Sequence, residues 1–217
     1  MFFFFSSPFY SFFPYKQIII IIQRNACFLA GLLYLNMSND ANAVTVLGSN
    51  LSAVLQEMRP YVEGRGTFDD MLVDNACSAV SKIIISLTDG QGSSGLSQTV
   101  GGANCINIVT SIVPILLSSL PLQSDHEEDG PVYVQCLGNI LQTQPTIPIV
   151  VQHLSRIVYV LVKAIPEITD DAVRKSVTMR IKYACTRFQG VDPQSLVQGL
   201  TQEESNWVGR IVSGQEQ

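Results

Sequence analysis

Apolar residues recur along most of this chain at the spacing of one helix face. Ala26, Ala30, Leu33 and Met37 stand at offsets 0, 4, 7 and 11, and so do Ala76, Val80, Ile83 and Leu87. Val177, Ile181, Ala184 and Phe188 repeat the pattern, and Tyr133, Leu137 and Ile140 give a shorter copy. Such offsets place side chains on one stripe of an amphipathic α-helix, whereas a strand would alternate every second residue. Between these stretches lie three more of the same kind: Leu47, Leu51, Val54 and Met58; Val109, Val113, Leu116 and Leu120; Val150, Leu154, Ile157 and Leu161. No segment reads as a strand. The pattern predicts an alternation of helices and an all-α fold.

The helices repeat in pairs. Asn25-Ala26-Cys27 returns fifty residues later as Asn75-Ala76-Cys77, each tripeptide opening the same stripe. Cys27, Cys77, Cys136 and Cys185 recur at separations of 50, 59 and 49, each on what reads as the second helix of a pair. Pairs at this period predict an α-α superhelix, a solenoid of the HEAT or armadillo type. Breakers fall between the stretches: Pro60 with Gly64 and Gly66, Gly101-Gly102, Pro121 with Gly130-Pro131, Pro145, Pro148 and Pro166. Asp170 and Asp171 suit a helix N-terminus. The expected array runs over residues 23–217 as about four helix pairs, with a polar C-terminal cap from about residue 193.

Composition changes the reading of one region. Hydrophobic residues make up 47% of the 217 and charged residues only 14%, against roughly 25% charged in typical soluble domains. Much of the excess sits at the start: seven of the ten Phe precede residue 14, and Ile18 to Ile22 is an unbroken isoleucine run. As a helix, residues 2–22 would reach about 31 Å, nominally a bilayer. Pro8 and Pro14 oppose a continuous span, and no positive region precedes the apolar core as a signal peptide requires. Residues 1–22 are therefore expected to be an apolar leader outside the fold, and a membrane anchor is the lesser alternative.

Charge and chemistry exclude more than they assign. The net charge of −5 argues against a nucleic-acid-binding domain. There is no CxxC pair, and neither His126 nor His153 shares a helix-turn spacing with a cysteine, so neither zinc nor a thiol nucleophile is indicated. Gly90-Gln91-Gly92-Ser93-Ser94-Gly95 fits G-x-G-x-x-G, but a dinucleotide site also needs a helix opening at the last glycine and an acid about 20 residues on. Residues 88–104 read instead as a Gly/Ser-rich loop between helices. No metal, cofactor or catalytic set emerges. Two charged stretches remain. Asp125, Glu127, Glu128 and Asp129, around His126, form the densest acidic cluster, a solvated turn able to contact a basic partner. Lys175, Arg180, Lys182 and Arg187 give one helix a basic polar face without interleaved aromatics.

Three segments resemble a known family. Arg24-Asn25-Ala26-Cys27-Phe28-Leu29-Ala30-Gly31-Leu32-Leu33 is similar to an "RNxAxFxxGxL" helix of importin-β-type nuclear transport receptors. Asp74-Asn75-Ala76-Cys77-Ser78-Ala79-Val80-Ser81-Lys82-Ile83-Ile84 resembles the "DNxCGAxxR" helix that follows it, with Ser78 for the glycine and Lys82 for the arginine. Leu120-Pro121-Leu122-Gln123-Ser124-Asp125-His126-Glu127-Glu128 resembles the "LPLxxDxEE" turn. The three occur in this order near the C-terminus of importin-4-type receptors and of the related importin-5 group, so the resemblance, over roughly residues 23–212, implies the C-terminal HEAT repeats of such a receptor. It implies further that the function is carriage of basic protein cargo, histone-like or ribosomal-protein-like, through the nuclear pore, with shuttling between cytoplasm and nucleus and contact with nucleoporins. Ran-GTP would act on the full receptor outside this segment. The resemblance implies no cofactor, nucleic acid or membrane partner, and Asp125, Glu127, Glu128 and Asp129 become the candidate cargo contact. A helical-repeat interaction scaffold unrelated to transport is the alternative.

Overall fold

The computed structural model describes residues 13–88, 94–124, 126–143, 147–188 and 192–215. These form α1 (Phe13–Met37), α2 (Val44–Glu63), α3 (Asp70–Thr88), α4 (Gly95–Val100), α5 (Gly102–Ser119), α6 (His126–Gln142), α7 (Ile147–Ala164), a 3₁₀ turn (Ile165–Glu167), α8 (Asp171–Arg187), α9 (Pro193–Leu196) and α10 (Gln202–Ser213). Strands are absent among the described residues; the all-α, helical-repeat expectation holds.

Local chemistry sets many of the boundaries. The Asp170 carboxylate accepts from the amides of Ala172 (2.8 Å) and Val173 (3.0 Å) and starts α8. Thr201 and Glu204 form a reciprocal capping box at α10, and Gly214, at φ +77°, closes that helix in the left-handed conformation. Gly101, at φ +85°, separates α4 from α5. Several expected breakers do not break. Pro60 lies one turn before the end of α2 and Pro131 near the start of α6, inside both helices. Pro14 falls in the first turn of α1, where a missing amide donor costs little. As a result the helix runs without interruption through residues 13–22, and no helix boundary falls at residue 23.

The helices stack in two layers. One is α1 on α3, α3 on α6 and α6 on α8; the other is α2 on α5 and α5 on α7. α3 also packs on α2 and α5, α7 bridges α6 and α8, and α10 lies on α8. The first layer contains the four spaced cysteines, one per helix. Its centre is α3, buried on every side from Leu72 to Thr88 apart from the half-buried Asn75. The hydroxyls of Ser81, Ser86 and Thr88 donate to the carbonyls of Cys77 (2.8 Å), Ile83 (2.7 Å) and Ile84 (2.7 Å), so the helix itself satisfies them in the core.

Gly/Ser-rich residues 94–101 are a correction to the expected loop. Ser94 caps α4 by accepting from the Ser97 amide at 3.0 Å, and Leu96 is fully buried. The Leu96 amide donates to Ser38 O at 2.7 Å and the Gly95 amide to Asn39 Oδ1 at 2.9 Å, tying α4 to the turn after α1. Gly90 and Gly92 lie outside the described residues.

Four helical segments are long and apolar enough to cross a membrane by length and composition: Gln17–Met37, Asp70–Thr88, Gly102–Ser119 and Pro148–Glu167. In Asp70–Thr88 the hydropathy serves the core, since 89% of the segment is buried in the fold; in Gln17–Met37 only 17% is.

Candidate protein-docking surface

The segments Arg24–Leu33, Asp74–Ile84 and Leu120–Glu128, recognised separately in the sequence, meet around two buried carboxylates on and beside α3. The first is Asp74, fully buried. Its Oδ1 accepts from Arg65 Nη2 at 2.5 Å, and its Oδ2 accepts from the amides of Gln123 (2.9 Å) and Ser124 (2.7 Å). Arg65 also donates to Ser119 O through Nη2 at 2.8 Å and Nε at 3.2 Å. Arg156 reaches over from α7 to Leu117 O at 2.9 Å and Leu120 O at 2.5 Å. The chain from Ser119 to Ser124, which includes the cis Leu120–Pro121 peptide, thus has its carbonyls held by two arginines and its amides by one aspartate. A buried charge with this many partners is stable, whereas an unpartnered one is not.

The second carboxylate is Asp129, which the sequence placed in an exposed acidic cluster. It points inward instead. Its Oδ1 accepts from Ser78 Oγ at 2.5 Å and from Lys82 Nζ at 3.0 Å, and all three residues are buried. Lys82 Nζ also donates to Ser78 Oγ at 2.8 Å and lies 5.2 Å from the centre of the Phe28 ring on α1. The two positions at which Asp74–Ile84 departs from the DNxCGAxxR pattern it resembles, Ser78 and Lys82, are therefore the two that grip Asp129. An exposed cargo contact does not extend to Asp129, because its charge is neutralised within the fold.

Of the remaining cluster, Asp125 lies outside the described residues. Glu127 and Glu128 occupy the first turn of α6, where a negative charge favours the helix dipole; their side chains lie outside the described residues. The inward pull on Asp129 fixes that first turn directly after the clamped Ser119–Ser124 segment. Sequence reasoning missed Asp74, Arg65, Ser78 and Lys82 as polar anchors. The available signal was a lysine and an aspartate inside an otherwise apolar helical stretch, positions where charge persists only when paired.

The five thiols are free, four of them buried and Cys185 half-buried. Burial pushes the Cys27 and Cys185 thiols up to about 11 and the Cys77 and Cys136 thiols up to about 12. Thiols so shifted are protonated at neutral pH and are poor nucleophiles and ligands. Among the described residues no three His, Cys, Asp or Glu side chains come together to hold a metal ion. What the geometry offers is a scaffold with surfaces, and the segment Ser119–Ser124 that leads toward α6 is held by Asp74, Arg65 and Arg156.

No family model matches the chain, and no solved structure does. Among curated proteins, 173 residues are 26% identical to the probable importin subunit beta-4 of Schizosaccharomyces pombe, a match that covers 78% of this chain. The chain spans 14% of that relative's length. Together with the all-helical repeat fold, this similarity supports the importin-β family.

Proposed function

We propose that this chain is a protein-binding segment of a nuclear import receptor of the importin-4 type, contributing the surface of its C-terminal HEAT repeats. The observation that carries the reading is the similarity to the fission-yeast importin subunit over most of the chain. It is supported by the meeting of the three family-like segments around two buried carboxylates, Asp74 and Asp129, which gives the receptor-like sequence a structural reason. Members of this family are transport receptors, and the chain's part is to hold cargo rather than to catalyse. The cargo is a basic protein, histone-like or ribosomal-protein-like, attracted to an acidic chain of net charge −5. Asp125, Glu127 and Glu128 form its contact; Glu127 and Glu128 lie in the first turn of α6, between the amides that Asp74 holds and the buried Asp129. Nucleoporin contact, release by Ran-GTP acting elsewhere in a full receptor, and shuttling between cytoplasm and nucleus complete the reading.

The test is a titration of the full chain with a fluorescent lysine-rich histone-tail peptide at low and at physiological salt. Saturable binding that weakens with salt, and weakens again in the Glu127→Lys/Glu128→Lys variant, is the expected result. Absence of binding at low salt, or equal binding by the double variant, overturns the assignment of cargo contact to this turn.

A further inference from the structure

The basic face of α8 is not one surface. Arg180 turns inward: Nε donates to Ser176 Oγ at 3.2 Å and Nη1 to Gln135 O on α6 at 3.4 Å. Its guanidinium occupies the space a Cβ at Gly138 would fill. Arg187 lies against Tyr183 of its own helix, the guanidinium 5.2 Å from the ring centre. Lys175 and Lys182 instead lie two helical turns apart on a different face, with Arg174 next to Lys175 on its edge, all three exposed.

That face looks onto a cleft of about 650 Å³ between α8 and α10. Arg174, Lys175 and Lys182 line one wall with Thr178 and the exposed Met179; Trp207 and Ile211 come from α10, and Ile165 from the 3₁₀ turn. Asp171 is the one acid among the lining residues. No carboxylate among the described residues pairs with Arg174, Lys175 or Lys182. In a chain whose net charge is −5, three cations with no ion-pair partner among the described residues, beside an indole and three aliphatic side chains, are a local inversion of sign joined to an apolar surface.

We propose that this cleft binds an acidic peptide segment of a partner protein, with its carboxylates along Arg174, Lys175 and Lys182 and an apolar side chain against Trp207. Charge complementarity selects the occupant's sign. The aromatic anchor and its aliphatic neighbours select a peptide over a nucleic acid strand, because single-strand grooves stack successive bases on several aromatics and this cleft has one. The site is separate from the turn at the start of α6, takes a ligand of opposite charge, and stands or falls independently of the transport reading.

The chain contains a single tryptophan, so its intrinsic fluorescence reports on the cleft directly. A short Glu-rich peptide with a central leucine is titrated into the full chain. Matched probes are the same sequence with Gln for Glu, the same sequence with Ser for the leucine, and a single-stranded oligothymidylate. The acidic leucine peptide is expected to shift Trp207 emission to the blue and saturate, with affinity falling roughly tenfold from low to high salt. Lys175→Glu/Lys182→Glu weakens it at least about tenfold, while Arg187→Glu, outside the cleft, leaves it unchanged. Equal binding of the Gln peptide, tighter binding of the oligothymidylate, indifference to the double charge reversal, or no fluorescence change overturns the proposal. Should the double variant fail to fold, Lys175→Gln with the salt dependence of the unsubstituted chain decides it.

Discussion

α1 and α3 contain the same stripe in two environments. The fifty-residue offset that relates Asn25-Ala26-Cys27 to Asn75-Ala76-Cys77 carries Ile22, Ala26, Leu29 and Leu33 onto Leu72, Ala76, Ala79 and Ile83. In α3 these four are at most 1% exposed; in α1, Ile22, Leu29 and Leu33 are 61%, 57% and 50% exposed. The α3 stripe runs beneath α1, where an added Cβ on Gly31 would come within 2.7 Å of Ala79 Cα. The α1 stripe has no such cover among the described residues. An apolar stripe in a repeat helix is thus a stacking face, and its energetic weight belongs to the junction between neighbours rather than to the helix that displays it.

The comparison is broken most severely through the polar anchors that only α3 has. Asp74→Ala strips Arg65 of its buried partner and leaves two amides without an acceptor, and about 3–5 kcal/mol should be lost; a urea midpoint unchanged from the parent would show that the clamp is not structural. Next comes a matched pair. Ile83→Ala should cost about 2–5 kcal/mol, and its repeat equivalent Leu33→Ala less than about 0.5. Similar losses at both sites, measured by chemical denaturation, would mean that the α1 stripe is covered.

A smaller contrast uses glycine. Gly31→Ala forces α1 away from Ala79 and should cost about 1–3 kcal/mol. Gly209→Ala, in α10 with open space around its Cβ, should stabilise by roughly 0.5–1 kcal/mol. A thermal melt that moves both midpoints in the same direction contradicts the close α1–α3 approach.

The last contrast lies at the far end of the stack. Burial alone would raise the Glu204 pKa, but its 2.6 Å bond from Lys163 Nζ and the Thr201 capping box leave it below the ordinary carboxyl value. A depressed folded-state pKa contributes stability that is fully present above the unfolded value, about 4.3, and is lost as pH falls through the folded value. Glu204→Gln should therefore cost about 1 kcal/mol at neutral pH, with the difference from the parent disappearing in acid. A pH-independent difference would assign the loss to packing.

The helices were legible because stripe and spacing are local properties, and the cysteine positions already outlined one whole layer. The grip on Asp129 was not legible, because an aspartate within Asp125-His126-Glu127-Glu128-Asp129 looks the same in sequence whether it faces water or Lys82. Residues 94–101 read as a loop because they lie in a Gly/Ser-rich stretch, 88–104, with Gly90, Gly92, Gly95, Gly101 and Gly102, although Ser94 followed by Leu96 held a cap and a core residue. The division of the α8 cations was present in the numbers: Lys175 and Lys182 are seven residues apart on one face, and Arg180 and Arg187 seven apart on another. That Trp207 would lie opposite the first pair depends on how α10 folds back, which no local pattern encodes.

The cysteines of the first layer make the fold into its own clock. Cys27, Cys77 and Cys136, buried and with their pKa values pushed up to about 11 or 12, react with an alkylating reagent when the surrounding helix opens to water, whereas the half-buried Cys185 is partly accessible already. One thiol marks each of α1, α3, α6 and α8, so the order of modification, read by mass spectrometry of peptides, is the order in which the layer comes apart. A stack held by nearest-neighbour junctions frays from its ends. Cys27 and Cys185 should then be modified first and Cys77 and Cys136 last, and a single common rate would mean that the array opens as one cooperative unit.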